Sequence, residues 1–193
     1  MNFITSSLTY LKRPTLIAIA AFLLVPPAAH AEVSPEYKLK AAYLFNFVGF
    51  AQWPPAIFTT TNSPLVIGVL GDNPFGAALE EVIRGRVVNG RPVVVKPVAT
   101  AEEAKLCQVV FIPGSEQANV RQHLETLRNA PVLTIGESAE FLDAGGVIRF
   151  FVEQNKIRFD INKAQADVEG LQMDSQLLSL AAAVREAGGK KGG

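Results

Sequence analysis

The residues able to do acid–base, nucleophilic or metal chemistry are few in this chain. It holds two histidines, His30 and His123, and one cysteine, Cys107. A Ser-His-Asp arrangement needs a histidine beside a nucleophile. Ser115, in "IPGSEQ", is the nearest serine to His123, but it lacks the Gly-x-Ser-x-Gly elbow and reads first as a helix cap. A metal site built on histidine or cysteine needs more ligands than His123 and Cys107 supply. "GDNPFG" at 71–76 follows an apolar run, yet it lacks the Lys-Ser/Thr that binds phosphate and magnesium in a P-loop. The inventory therefore points to no catalytic residue, no metal and no cofactor.

One low-specificity binding edge survives this elimination. Three apolar runs end in "GDN", "PGSE" and "GES". In open α/β sheets small ligands bind beyond the carboxyl ends of parallel strands. If these runs are neighbouring strands, Asp72, Asn73, Ser115, Glu137 and Ser138 converge at one edge that could hold a small polar ligand. The plainer reading of each segment is a turn into a helix.

The elements that would position such an edge are readable. "SPEYKLKAAYLFNFVGFAQWPP" predicts a helix, with Ser34 as N-cap, Pro35 at the first position and Pro54 ending it. Residues 65–70, 108–112 and 131–135 are continuous apolar runs that read as buried strands, separated by short helices from "NPFGAALEEVIRG", "TAEEAKL", "SEQANVRQHLETLRN" and "SAEFLDA". "RVVNGRPVVVKPV" reads as two strands about an Asn89-Gly90 turn. "GGVIRFFVEQNKIRFDIN" reads as an antiparallel hairpin turning at Gln154-Asn155. In that register Ile148 faces Ile161, Phe150 faces Phe159 and Val152 faces Ile157, while Arg149 meets Asp160 and Glu153 meets Lys156 on the other side. "DSQLLSLAAAVREAGG" predicts a final helix with Leu177, Leu178, Ala181 and Val184 on its core side and Gly188 as its stop. The fold class is α/β: a single domain whose mostly parallel sheet is flanked by helices, with a C-terminal antiparallel hairpin and helix.

The ends of the chain read differently. Lys12 and Arg13 precede the apolar run "LIAIAAFLLV" at 16–25, and "AHA" at 29–31 follows. That layout is a secretory signal peptide over residues 1–31, cleaved after Ala31, and ten apolar residues are too few to span a bilayer. The domain then covers residues 32–187, and "GKKGG" within 188–193 reads as a flexible tail. Of eighteen Lys and Arg, two lie in the leader, so sixteen basic side chains face eighteen acidic ones. This balance offers no footprint for nucleic acid and no polybasic stripe for a membrane after cleavage. With one cysteine no intrachain disulfide can form, which leaves burial of Cys107, a bond to another chain or an exposed thiol, with burial the plainest reading.

The stretch "AAYLFNFVGFAQWP" at 41–54 is uncharged and holds five aromatics. At 100° per residue Tyr37, Ala41, Leu44, Phe45 and Val48 form one apolar stripe. Leu39, Tyr43, Phe47 and Phe50 form a second on nearly the opposite side, with Asn46 at its edge. One stripe can pack on the sheet, and the other needs a cover, either the final helix or another chain.

Three stretches in order, "KAAYLFNFVGFAQWP", "PVLTIGESAEFLDAGGVIRF" and "KIRFDINKAQADVEGLQMDSQLLSLA", resemble the YfiR-like family of periplasmic proteins. "VIGVLGDNPFG" and "CQVVFIP" between them fit the same order. The resemblance implies a non-enzymatic α/β protein in the periplasm. It implies repression of an inner-membrane diguanylate cyclase through that enzyme's periplasmic sensing region, an outer-membrane lipoprotein that relieves the block, and a homodimer. A sensor kinase is a further candidate partner. On this reading Phe47, Phe50 and Trp53, with Asn46 beside them, are the candidate anchors for the partner. The alternative is a periplasmic small-ligand-binding protein acting at the carboxyl edge. Some family members carry redox-sensitive disulfides. This chain has Gly68 where such a member has a cysteine, so Cys107 lacks that partner.

Overall fold

The alternation of buried strands and short helices builds one eight-stranded sheet. The computed structural model describes residues 33–187, and the expected signal peptide and tail lie outside the described residues. Strands β2 (Leu65–Leu70), β5 (Val109–Ile112) and β6 (Leu133–Gly136) are the three apolar runs. They are central and parallel, which is why they lack polar alternation. β3 (Val87–Val88) and β4 (Arg91–Val98) lie on one side of them. β7 (Ile148–Glu153), β8 (Lys156–Asn162) and β10 (Ala183–Arg185) lie on the other. The order is β10-β8-β7-β6-β5-β2-β4-β3, antiparallel only at β3–β4 and β7–β8. A second, two-stranded ribbon pairs β1 (Ala51–Gln52) with β9 (Gln172–Met173).

Side-chain alternation divides the core between the two faces. Ile67, Val69, Val109, Phe111, Leu133 and Ile135 point toward helix α1 (Pro35–Phe50), α2 (Ala78–Ile83) and Leu177 of α6 (Ser175–Leu180). Leu70, Cys107, Val110 and Ile112 point toward α3 (Ala101–Ala104) and α4 (Val120–Leu127). The remaining helix, α5 (Lys163–Val168), follows β8 directly, with Asn162 capping its first turn.

The hairpin has the register read from sequence, from Ile148–Ile161 to Glu153–Lys156. Gln154 and Asn155 both take positive φ (48° and 59°), as a two-residue primed turn requires. Asn89 and Gly90 do the same between β3 and β4. The Ser34 and Thr100 caps are formed.

Four expectations are corrected. Residues 175–187 are not one helix: α6 ends at Leu180, and Ala183–Arg185 pair in parallel with β8. The open edge of β8 supplies the cause, since the Ala182 N–H finds the Phe159 carbonyl at 2.8 Å and tertiary pairing overrides the helix preference of an alanine run. "SAEFLDA" forms turns rather than a helix. Ser115 does not cap: residues Gly114–Asn119 are 3-10 turns without a side-chain cap, and the α-helix starts at Val120. The two stripes of α1 are not opposed: its buried side runs through Lys40, Ala41, Leu44, Phe47 and Val48. Phe47 belongs to the core, 5.0 Å from the Phe159 ring and 5.6 Å from that of Phe150. Within the second stripe the hairpin covers Tyr43, 5.9 Å from Phe150, and Phe47, while Leu39 is exposed and Phe50 half-buried.

Turn residues 139–145 bring Phe141, fully buried, between two glycines. A Cβ at Gly136 would stand 2.2 Å from that ring, and one at Gly146 would stand 2.1 Å from it. Gly146→Ala should therefore lower stability by about 1–3 kcal/mol through overpacking. Gly49→Ala, on an exposed helical position with open space for a Cβ, should raise it by about 0.5–1 kcal/mol. Urea unfolding of the two variants measures both.

Candidate functional site

Helix α1 carries one candidate site at each end, because it runs from the carboxyl edge of the parallel strands to their amino edge. Its first turns meet the loop after β6. There Lys40, buried to 4% exposure, bonds both Glu36 and Glu137. Glu137 also accepts the Tyr37 hydroxyl at 3.2 Å and the Gly114 N–H at 2.9 Å. Burial first, then the Glu137 charge, pushes the Tyr37 hydroxyl up to about 12, so it stays a donor. The Lys40 ammonium also lies 4.7 Å from the Tyr37 ring centre.

The sequence-derived ligand residues do reach this edge, because β2, β5 and β6 are neighbours. They do not form one polar pocket. Asp72 is exposed, and Asn73 closes its own turn by accepting the Phe75 N–H at 2.9 Å. Ser115 is exposed, and Ser138 is buried with its hydroxyl unpartnered. The crevice between β2 and β5, where the strand order reverses, is filled by Glu116: its Oε1 would lie 2.5 Å from a Cβ at Gly71, whose φ is +70°. His123 hydrogen-bonds Glu116 at 3.0 Å, and this bond holds the Glu116 carboxyl below its usual range. His123 is thus paired rather than freely solvated, and it does not bond Ser115. Among the described residues no cluster of His, Cys, Asp and Glu is arranged to hold a metal.

The other end of α1 leads to Trp53. Its indole N–H donates to the Gln108 carbonyl at 3.0 Å, fixing the ring over the start of β5. Trp53 is 9% exposed, Phe50 is half-buried and Asn46 is exposed, whereas Phe47 at 1% exposure is in the core. Two grooves flank Trp53. One, of about 240 Å³, is walled by Trp53, Phe58, Leu65 and Arg91. The other, of about 460 Å³, lies against Pro54, Gly170 and Gln172. The β1–β9 ribbon forms the floor between them, secured by the Asp174 N–H on the Phe50 carbonyl at 2.9 Å.

Beside this ribbon, Glu169 caps α5 with 6% exposure. Burial pushes its carboxyl up to about 8, opposed by the Gln165 amide, and Oε2 has no partner. Sequence reading missed this residue, the two grooves and the Lys40 network. Only the Glu36–Lys40 spacing of four residues signalled any of them.

The YfiR/HmsC-like family model (DUF4154) matches residues 37–182. The chain belongs to the YfiR/HmsC-like family. The matched segment spans nearly all of α1, the central parallel strands β2, β4, β5 and β6, and the hairpin, and stops just before β10. No curated protein matches. Among solved structures, a conserved domain protein from Vibrio cholerae O1 biovar El Tor is similar at 11% identity and a TM-score of 0.53, over 79% of this chain and 60% of that one. An ABC domain in complex with L-Trp from Streptococcus pneumoniae has 12% identity and a TM-score of 0.49, over 76% of this chain and 60% of that one. The chain therefore spans about 60% of the length of each of these proteins. The Vibrio likeness supports the α/β fold alone. Among the described residues of this YfiR/HmsC-like chain, no helix is long and apolar enough to cross a membrane.

Two predictions follow from buried groups. The folded state holds the Glu169 proton to higher pH than the unfolded chain, whose carboxyl titrates near 4.5. Its contribution is then fully present below that value and is lost as pH rises toward 8. Glu169→Gln should raise Tm more at pH 8 than at pH 5, as thermal melts at the two pH values will show. Cys107 is buried, which pushes its thiol pKa up. A Cβ at Gly68 would lie 2.9 Å from its Sγ and 3.4 Å from its Cβ, close to the spacing of a disulfide. Gly68→Cys should cross-link to Cys107 under oxidising conditions and gain about 2–4 kcal/mol over its reduced form. Thiol titration and paired melts test this.

Proposed function

We propose that this protein is a periplasmic regulator that represses an inner-membrane diguanylate cyclase by binding the enzyme's periplasmic sensor region. The observation that carries the reading is the family match over residues 37–182. In this reading residues 1–31 direct export and are removed after Ala31. The protein acts as a homodimer without catalysis, and an outer-membrane lipoprotein competes for it.

On this reading the partner docks at the amino edge, on exposed Asn46, half-buried Phe50 and the edge that Trp53 shows in its groove, while Phe47 stays in the core against Phe150 and Phe159. An anchor of this kind, aromatic and held rigidly, concentrates binding energy in few residues. Moving the cyclase from almost fully active to almost fully inactive requires about 5.5 kcal/mol of differential affinity between its two states. A rigid aromatic platform loses little conformational entropy on docking, which helps supply that difference.

The carboxyl edge is assigned a positioning role. Asp72, Asn73, Ser115, Glu137 and Ser138 are the residues a small ligand would use there, and the Ser138 hydroxyl is the one feature favouring it. Glu116 and Glu137 already spend their hydrogen-bonding capacity on the protein itself. Native mass spectrometry of periplasmic protein should give the bare chain beginning at Glu32, and a retained small molecule would reverse this assignment.

Deleting the gene in a strain that expresses the cyclase should raise cyclic di-GMP and biofilm. Asn46→Arg, at an exposed helix position, should fail to restore repression while shifting stability by less than about 0.5 kcal/mol. Unchanged cyclic di-GMP in the deletion strain would reject the repressor reading.

A further inference from the structure

The amino edge carries a charge pattern that the regulator reading does not use. In the β3–β4 ribbon Val88 pairs with Arg91 and Val87 with Pro92. Arg86, two residues before Val88, therefore shares the face of Val88 and Arg91 and lies roughly 7–8 Å diagonally from Arg91. Both guanidiniums stack on aromatic rings: Arg91 at 3.7 Å from the Phe58 centre and Arg86 at 5.3 Å from that of Phe45. Arg91 is fixed further by donating one Nη1 to the Thr60 and Ser63 carbonyls, each at 2.9 Å. Among the described residues neither arginine pairs with a carboxylate, which is also true of Arg84, Arg128 and Arg158, but of these only Arg86 and Arg91 lie over aromatic rings.

Arg91 helps wall the groove of about 240 Å³ with Trp53, Phe58 and Leu65, and Arg86 lies beyond that lining along the same face of the ribbon. A stacked guanidinium keeps its in-plane donors free and oriented, which suits a carboxylate better than a lysine ammonium would. The groove itself offers aromatic and aliphatic walls for an apolar side chain.

We propose that the groove beside Trp53, with Arg91 in its wall and Arg86 farther along the same ribbon face, takes an acidic peptide segment of the partner protein that carries an apolar side chain between carboxylates. The apolar side chain enters between Trp53 and Leu65, and the flanking carboxylates meet the two guanidiniums. This deepens the regulator reading and rests on it for the identity of the partner. A peptide is favoured over an anionic membrane surface because two stacked, oriented arginines around one small groove match a short segment. A headgroup layer needs a broad basic face, and this chain has no excess of basic residues.

Trp53 is the single tryptophan of the chain, so its fluorescence reports directly on the groove. The test uses the mature chain and two tryptophan-free synthetic peptides. One is acetyl-Glu-Leu-Asp-Phe-Glu-Pro-Leu-amide, and the other is its counterpart with Gln and Asn replacing the acids. The acidic peptide should change Trp53 emission and bind at least about tenfold more tightly than the neutral one, with an affinity that falls as salt rises. Arg86→Glu, which alters only the contact with Phe45, should weaken the acidic peptide by about tenfold or more while the protein melts normally. Arg86→Lys should fall between the two. Equal binding of both peptides, or an unaffected Arg86→Glu variant, overturns the proposal. So does a blue shift with phosphatidylglycerol vesicles but not with the peptide, which would make this face a membrane contact.

The cellular assay separates the two readings. If gene deletion raises cyclic di-GMP while Arg86→Glu still represses and no acidic peptide binds, the groove assignment fails and the regulator stands. If the peptide binds selectively but deletion leaves cyclic di-GMP unchanged, the groove stands and the regulator reading fails.

Discussion

The buried Lys40 ammonium sets the position of α1, and much of the molecule depends on where that helix lies. A charge at 4% exposure is costly to remove from water and persists only when well paired. Here the pairing comes from two places at once: Glu36 one turn back on the same helix, and Glu137 after β6. The first partner fixes the side chain, and the second fixes the helix to the sheet. Glu137 in turn gathers Tyr37 and the Gly114 N–H, so the loop after β5 is held by the same carboxylate. Three separate chain segments share one ionic centre. Such a pair adds little net stability over an apolar substitute, but losing one partner strands the other charge. Its effect is to allow one placement of α1 and to penalise the alternatives.

With that end pinned, Phe47 and Tyr43 fall against Phe150 and Phe159 of the hairpin. This aromatic cluster explains why α1 looks apolar on most sides. The helix packs on a sheet face that the hairpin strands extend, so a broad arc of the helix is apolar and periodicity alone does not separate its faces. The sequence pattern therefore identified the helix and its start, but carried it past Phe50 to Pro54, where Ala51–Gln52 are a strand, and assigned Phe47 to the wrong side.

What was legible in sequence was local or two-sided. The β7–β8 register could be read because apolar pairs on one face and opposite charges on the other agree on a single alignment. The central strands could be read because burial on both faces leaves uninterrupted apolar runs. The caps at Ser34 and Thr100 depend on residues three positions away. What was not legible depends on groups far apart in the chain. Ala183–Arg185 look helical until the free edge of β8 is available. Glu137 looks like a solvated loop acid until Lys40, 97 residues away, bonds to it. The turn at 139–145 resembles a helix until Phe141 is seen filling the space that Gly136 and Gly146 leave open. Asp72, Asn73, Ser115, Glu137 and Ser138 were rightly brought to one edge by topology, but topology does not say which of them is already spoken for.

The two ends of α1 differ in the hydrogen-bonding capacity they leave unused, and this difference decides which end is open to a new contact. At the carboxyl edge the strong groups satisfy one another: Lys40 with Glu36 and Glu137, His123 with Glu116, Asn73 with its own turn. A newcomer there would have to break existing bonds before forming its own. At the amino edge Arg86 has a ring but no carboxylate, Arg91 keeps donors beyond those held by two carbonyls, and Trp53 shows its edge above a groove. A newcomer there loses only water. Both edges sit on a helix of sixteen residues, about 24 Å long. The ionic centre fixes one end of the helix, and at the other end the Trp53 indole on the Gln108 carbonyl and the Asp174 N–H on the Phe50 carbonyl hold the aromatic platform.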